Sequence, residues 1–167
     1  MLIIFSGLPG VGKTTIAREI ARATAGVHVR VDSIEQRLRD AGWRVDGEGY
    51  AVAYAIAEDN LRLGRTVIAD CVNPWTLTRD AWRAVAARAG VRVIDVEIVC
   101  SDQAEHRRRV LARNADIPNH RLPTWQDVIE RDYQPWRDND DRIIVDTCRA
   151  SLADSVRAIT SRCGVPL

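Results

Sequence analysis

The sequence predicts an α/β fold, a five-stranded parallel sheet with helices on both faces. Three observations carry that prediction. Apolar runs of strand length alternate with stretches of helical spacing along the 167 residues. Several of those runs stop abruptly at an aspartate. The first passage from strand to helix is a glycine loop, "GLPGVGKTT", from Gly7 to Thr15. Alternating strands and helices bury a parallel sheet on both faces. In such sheets ligands gather beyond the carboxyl ends of the strands.

Leu2-Ile3-Ile4-Phe5 is a buried strand by its unbroken apolar run. Thr15 to Arg22 has helical spacing. Val27 to Val31 reads as the second strand, ending in Asp32, with a short helix from Ser33 to Asp40 and a loop from Gly42 to Gly49. Tyr50 to Leu63 is a helix stopped by Gly64. Arg65 to Ala69 is the third strand, ending in Asp70, and Leu77 to Ala89 the helix after it, stopped by Gly90. Val91 to Val99 is the fourth strand, Asp102 to Asn114 an arginine-rich helix, Arg142 to Val145 the fifth strand ending in Asp146, and Leu152 to Arg162 the closing helix. About forty residues, Ser101 to Asp141, separate the last two strands. Thr124 reads there as the N-cap of a helix running through Arg131. An insertion of this size beside a phosphate loop, about 102–137, reads as a lid, against the alternative of a plain helical crossover.

The length suits one domain with a full core. No apolar run approaches the ~18 residues of a membrane span. The chain enters its first strand at once, which leaves no space for a signal peptide. The formal charge of +1 gives no basic excess to hold a nucleic-acid backbone. Cys71, Cys100, Cys148 and Cys163 show no metal-ligand spacing, so the expectation is a cytoplasmic protein with reduced thiols packed as small hydrophobes. Oligomeric state is not readable.

Gly7, Gly12, Lys13 and Thr14 fill the pattern G-x-x-x-x-G-K-[ST]. Glycines let the backbone turn with φ > 0 and approach a phosphate closely. The amides of Gly7, Leu8, Pro9, Gly10, Val11, Gly12, Lys13, Thr14 and Thr15 (proline excepted) and the helix start then form an anion site. Lys13, the only lysine of the chain, offers a compact charge to the β- and γ-phosphates of ATP. Thr14 offers a hydroxyl to Mg²⁺, and Asp70, ending "TVIAD", is its carboxylate partner, unless Asp70 caps the next helix. Asp32, ending "VRVD", is either a general base for an attacking hydroxyl or an N-cap. The residue after Asp70 is Cys71 where a water-activating glutamate would stand, and a lone lysine cannot complete an Asn-Lys-x-Asp base-reading motif. Both absences point from hydrolysis to transfer. Arg109 and Arg113, one turn apart on the arginine helix, can bridge the phosphates, with Arg107 and Arg108 in other directions; the alternative is a solvated face. Arg149, beyond the fifth strand, is a further nucleotide contact.

"GLPGVGKTT", "VDSIEQRL", "VIADCVNP", "CSDQAEHRRRVLAR" and "PTWQDVIERDYQPW" together resemble the small P-loop kinases of the polynucleotide kinase, zeta toxin and chloramphenicol phosphotransferase group, some of which go under the description AAA family ATPase. The resemblance covers nearly the whole chain. It implies the P-loop NTPase strand order 2-3-1-4-5, a general base at Asp32, lid arginines at Arg109 and Arg113, and an acceptor arginine for which Arg37 is the nearest match.

The acceptor pocket is expected between the second-strand helix, its loop and the turn after the third strand. Arg37, Trp43, Tyr50, Tyr54, Asn73, Trp75 and Arg79 are its candidate lining, with Trp82 read as core. Rings beside polar groups suit a nucleoside, sugar or antibiotic-like small molecule. The leading expectation is an ATP- and Mg²⁺-dependent kinase of a small-molecule hydroxyl. The alternatives are a kinase of nucleic-acid 5′-hydroxyl ends and a nucleotide-dependent switch that binds a protein.

Overall fold

In the computed structural model, which describes residues 1–137 and 141–164, five strands form one parallel sheet in the order β2-β3-β1-β4-β5. The strands are β1 (Leu2–Ser6), β2 (Val27–Arg30), β3 (Val67–Asp70), β4 (Val93–Val99) and β5 (Arg142–Asp146). The helices are α1 (Lys13–Thr24), α2 (Val31–Asp40), α3 (Glu48–Arg62), α4 (Thr76–Arg88), α5 (Gln103–Leu111), α6 (Trp125–Ile129) and α7 (Leu152–Cys163). Residues 138–140 of the inserted segment lie outside the described ones.

The central strand β1 is buried along its length, and its side chains alternate between two cores. Ile3 and Phe5 face α1 and α7, meeting Ile16, Ile20 and Ile159. Leu2 and Ile4 face the other side, meeting Ala53, Leu61 and Trp82. Trp82 is core, as its place in the sequence suggested. Removing one such buried aliphatic side chain costs about 2–5 kcal/mol, because the site collapses only in part.

Helix stops follow local chemistry. Gly64 and Gly90 take φ of 77° and 66°, the left-handed turn that ends α3 and α4. Asp102 caps α5 by accepting from the amides of Ala104 and Glu105. Thr124 and Asp127 form a reciprocal capping box on α6. That helix is shorter than expected and ends at Ile129.

One boundary moves in a way that matters. The second strand stops at Arg30 and α2 begins at Val31, so Asp32 stands in the first helical turn and not at a strand end. The N-cap position is Arg30, and no side chain caps α2. The capping alternative for Asp32 therefore falls away.

The cysteine expectation needs correction. Cys71 and Cys163 are free and buried, but Cys100 and Cys148 form a disulfide. These two residues follow β4 and β5, adjacent strands in register from Asp95–Arg142 to Val99–Asp146. Their separation in sequence hid a juxtaposition that only the sheet creates. Among the described residues no helix is long and apolar enough to cross a membrane.

Candidate phosphoryl-transfer site

The loop from Gly7 to Gly12 joins β1 to α1 at the carboxyl edge of the sheet. Its glycines are dictated by space. A Cβ on Gly7 would collide with the Ile98 carbonyl, and Gly12 sits at φ 101°. The loop is braced from outside. His106 Nε2 lies 2.8 Å from the Pro9 carbonyl, and Thr147 Oγ1 donates to the Val11 carbonyl at 2.9 Å.

Pro9, Gly10, Gly12, Lys13, Thr14 and Thr15 line a cavity of about 1630 Å³. Leu8 is reached by Lys13, whose Nζ donates to the Leu8 carbonyl at 2.9 Å. Burial pushes the Lys13 ammonium down, opposed by the charges of Asp70 and Asp32. A buried ammonium facing a glycine cradle is poised to meet an anion.

Asp70 is 3 % exposed. Burial raises its carboxyl, but His28, 3.1 Å away, together with Lys13 and the Thr14 hydroxyl, outweighs burial and holds it below the usual carboxylate range. A Thr hydroxyl bonded to an ionised carboxylate beside a phosphate loop fits a Mg²⁺ ion, a hard cation that takes oxygen ligands. Thr14 and Asp70 would hold it.

Asp32, Arg109 and Arg113 line the same cavity as the loop. Asp32 caps no helix and forms no ion pair among the described residues, and its charge acts on Lys13. Arg109 is fixed by Glu105 at 2.7 Å and by the hydroxyl and carbonyl of Thr147 at 2.8 and 3.1 Å. Arg108 is also on the wall, clamped to Glu105, whose carboxyl falls to about 2 because Arg108 and Arg109 both bond it. Arg107 is not on that wall.

Four expected contacts lie elsewhere. Arg37 is 66 % exposed and pairs with Asp40 at 3.0 Å; Arg39, two residues on, lines the cavity in its place. Asn73 is 0 % exposed, and its amide donates to Ser6 Oγ at 3.0 Å, stitching β1 to the turn after β3. Arg79 is 1 % exposed and donates to the carbonyls of Asn73, Pro74, Gln134 and Pro135. Its guanidinium also stacks on Tyr133 and Trp136, so it is a buried structural clamp with four of its five N–H donors spent on the chain itself. Arg149 is 82 % exposed, beside Asp146, and off the cavity wall. Of the aromatic candidates, Tyr50, Tyr54 and Trp75 line the cavity and Trp43 does not.

Sequence reading missed His28, Arg30, Thr147 and Asp116. A signal existed for two of them. In "VHVRVD" polar residues alternate with valines, which puts His28 and Arg30 on one face of β2, and Arg30 is the register partner of Asp70.

Comparisons with known proteins agree with this fold. No curated protein matches the chain. Among solved structures, the fold is similar to Chaetomium thermophilum Kti12 in complex with ADP-AlF3, at TM-score 0.73 and 20% identity over 99% of this chain and 98% of that one. It is similar to a gluconokinase from Sinorhizobium meliloti 1021, at TM-score 0.65 and 20% identity over 95% and 89%. It is also similar to the Mycobacterium tuberculosis APS kinase CysC in complex with AMPPNP and APS, at TM-score 0.67 and 16% identity over 98% and 96%. A family model described as "AAA domain" matches residues 2–131, from β1 through α6, and the chain belongs to that family.

Proposed function

We propose that this protein is an ATP- and Mg²⁺-dependent kinase that phosphorylates a hydroxyl group of a small molecule. One observation carries the reading. The Asp32 carboxylate, relieved of any capping duty, shares one cavity with the phosphate loop. Here the cavity runs on past Asp32 to Tyr50, Tyr54, Trp75 and the lid residues Arg121 and Arg131, room for an acceptor beside the donor.

In this reading the loop amides and Lys13 hold the β- and γ-phosphates. Mg²⁺ on Thr14 and Asp70 supplies positive charge to those phosphates. The acceptor oxygen forms a bond to the γ-phosphorus as the bond to the β-phosphate oxygen breaks, and ADP leaves. Asp32 takes the proton of the acceptor hydroxyl. Arg113, which makes no ion pair among the described residues, is free to meet the transferring group, with Arg109 set beside it. The lid excludes water, so that transfer outruns hydrolysis.

Charge on the lid narrows the acceptor. The acids there are committed: Asp127 to the α6 capping box and Glu130 to Gln126. Arg121 and Arg131 line the cavity without an ion-pair partner among the described residues, and the charge of Asp127 acts on both from a distance. An acceptor bearing an anionic group would complete that wall. The structural similarity to kinases of gluconate and APS type supports the same class. A cytoplasmic place of action, where ATP is abundant, is part of this proposal.

The test is a screen for acceptor-dependent ADP release over sugars, sugar acids, nucleosides, nucleotides and antibiotics, with DNA and RNA 5′-hydroxyl ends in a separate arm. We expect release with a small-molecule class, abolished in Lys13→Ala. Transfer confined to nucleic-acid ends would replace the small-molecule reading. ADP release indifferent to every acceptor would remove the kinase reading.

A further inference from the structure

We propose that Arg30 couples the position of the lid to the carboxylate of Asp70, with Asp116 as the catch. This rests on the reading of Thr14 and Asp70 as the cation side of the phosphate site.

Arg30 ends β2 and is 6 % exposed, a cation taken almost wholly out of water. Two of its three nitrogens are spent on the lid. Nη1 donates to Asp116 Oδ2 at 2.8 Å and Nη2 to Asp116 Oδ1 at 3.0 Å, a planar fork on a carboxylate. Asp116 lies in the loop between α5 and α6 and also accepts from Arg18 Nη2 of α1 at 2.6 Å. One lid carboxylate is thus pinned to two arginines of the body.

The third nitrogen points to the consequence. Arg30 Nε is buried and has no hydrogen-bond partner. It lies 4.0 Å from Asp70 Oδ2, too long for a bond and close enough to become one after a small movement. Asp32 is the other carboxylate whose charge reaches Arg30, and it makes no ion pair with it among the described residues. The guanidinium therefore sits between a lid carboxylate that it holds and a site carboxylate that it does not.

A buried guanidinium stripped of its partner cannot stay unpaired cheaply. When the lid lifts, Asp116 leaves, and Asp70 is the nearest carboxylate to receive Arg30. A carboxylate bonded to a guanidinium is a poorer ligand for a cation. An open lid thereby weakens the metal side, and a closed lid frees it. Linkage makes the effect mutual: a cation bound at Asp70 favours the closed lid by the same factor.

The experiment is calorimetric titration of ADP in EDTA and in Mg²⁺, for the unmodified chain and for Asp116→Asn. Asp116 is part-exposed in a loop, and circular dichroism of this variant checks its fold before titration. We expect similar ADP affinity in EDTA and an affinity gain from Mg²⁺ that falls about tenfold in Asp116→Asn, as for other groups that support a metal ligand. In Asp116→Asn/Arg30→Leu the gain returns, because no guanidinium is left to claim Asp70. If circular dichroism shows that double variant unfolded, the single variant decides alone. An undiminished Mg²⁺ gain in Asp116→Asn overturns the proposal, and so does an equal loss of ADP affinity with and without Mg²⁺, the pattern of a merely loosened lid. A chain that binds no ADP under any condition refutes the donor-site reading instead.

Discussion

Asp32 and Asp70 are both short carboxylates at the edge of one sheet, and their surroundings give them different work. Asp70 is buried and held ionised by His28, Lys13 and Thr14, the state a cation ligand needs. Asp32 stands half-buried in the first turn of α2 and faces the cavity. The glycine loop was legible because its backbone geometry depends on local spacing. Arg79 was misread because an arginine near a site looks alike whether it faces a ligand or four carbonyls of a returning segment. Nothing local to "TLTRDAW" shows that residues 133–136 come back over it. Arg79→Met should therefore lower unfolding free energy by about 3 kcal/mol, since it strands several buried carbonyls. Urea melts check this, and a folded variant with normal stability but a raised acceptor KM would restore the binding role. Asp116 supplies a pH prediction. Bonds from Arg30, then Arg18, hold its carboxyl far below the usual range. A depressed folded value gives stability that is fully present above the unfolded value of about 4 and is lost progressively as pH falls below that value toward the folded one. Thermal melts from about pH 6 to about pH 3 should show that loss, and Asp116→Asn should show a smaller one.

At the scale of elements, the helix ends were readable and the second strand's end was not. Gly64, Gly90 and Thr124 act through their own backbone or hydroxyl, so their positions in the sequence declare them. The strand β2 stops one residue early because Val31 already turns into α2, where it is buried in the core, and "VRVDSI" does not show this. That shift removes the capping alternative for Asp32. The insertion between β4 and β5 was legible as a helical segment, but its attachment was not. It is fastened to the body by Asp116 at one end and by Arg79, Tyr133 and Trp136 at the other. Helix α5 is anchored by the Asp102 cap and by His106 against the loop. Asp102→Ala should cost about 1 kcal/mol of stability. Because Arg109 rides on this helix, the same change should also weaken ADP binding, by a few-fold in calorimetry; full ADP affinity would show that α5 placement does not depend on its cap.

For the whole molecule, the alternation of apolar runs was enough to specify the sheet and its layers, while the covalent tie across it was not. Cys100 and Cys148 lie 48 residues apart and meet only because β4 and β5 are neighbours. Closing a loop of that length stabilises the folded state by about 4 kcal/mol in the chain-entropy account. Urea melts with and without reductant should differ by a clear shift of midpoint; coincident curves would show that the bond contributes nothing to stability. The bond also brackets Thr147, which braces both Val11 of the loop and Arg109 of the lid. The whole arrangement converges on one claim, that the space beyond the phosphate loop receives an alcohol whose proton goes to Asp32. The most direct measurement is the acceptor-dependent rate of ADP formation by Asp32→Asn, beside its ADP affinity. The account predicts unchanged ADP binding with a rate reduced at least about a hundredfold; transfer at the unmodified rate would contradict it.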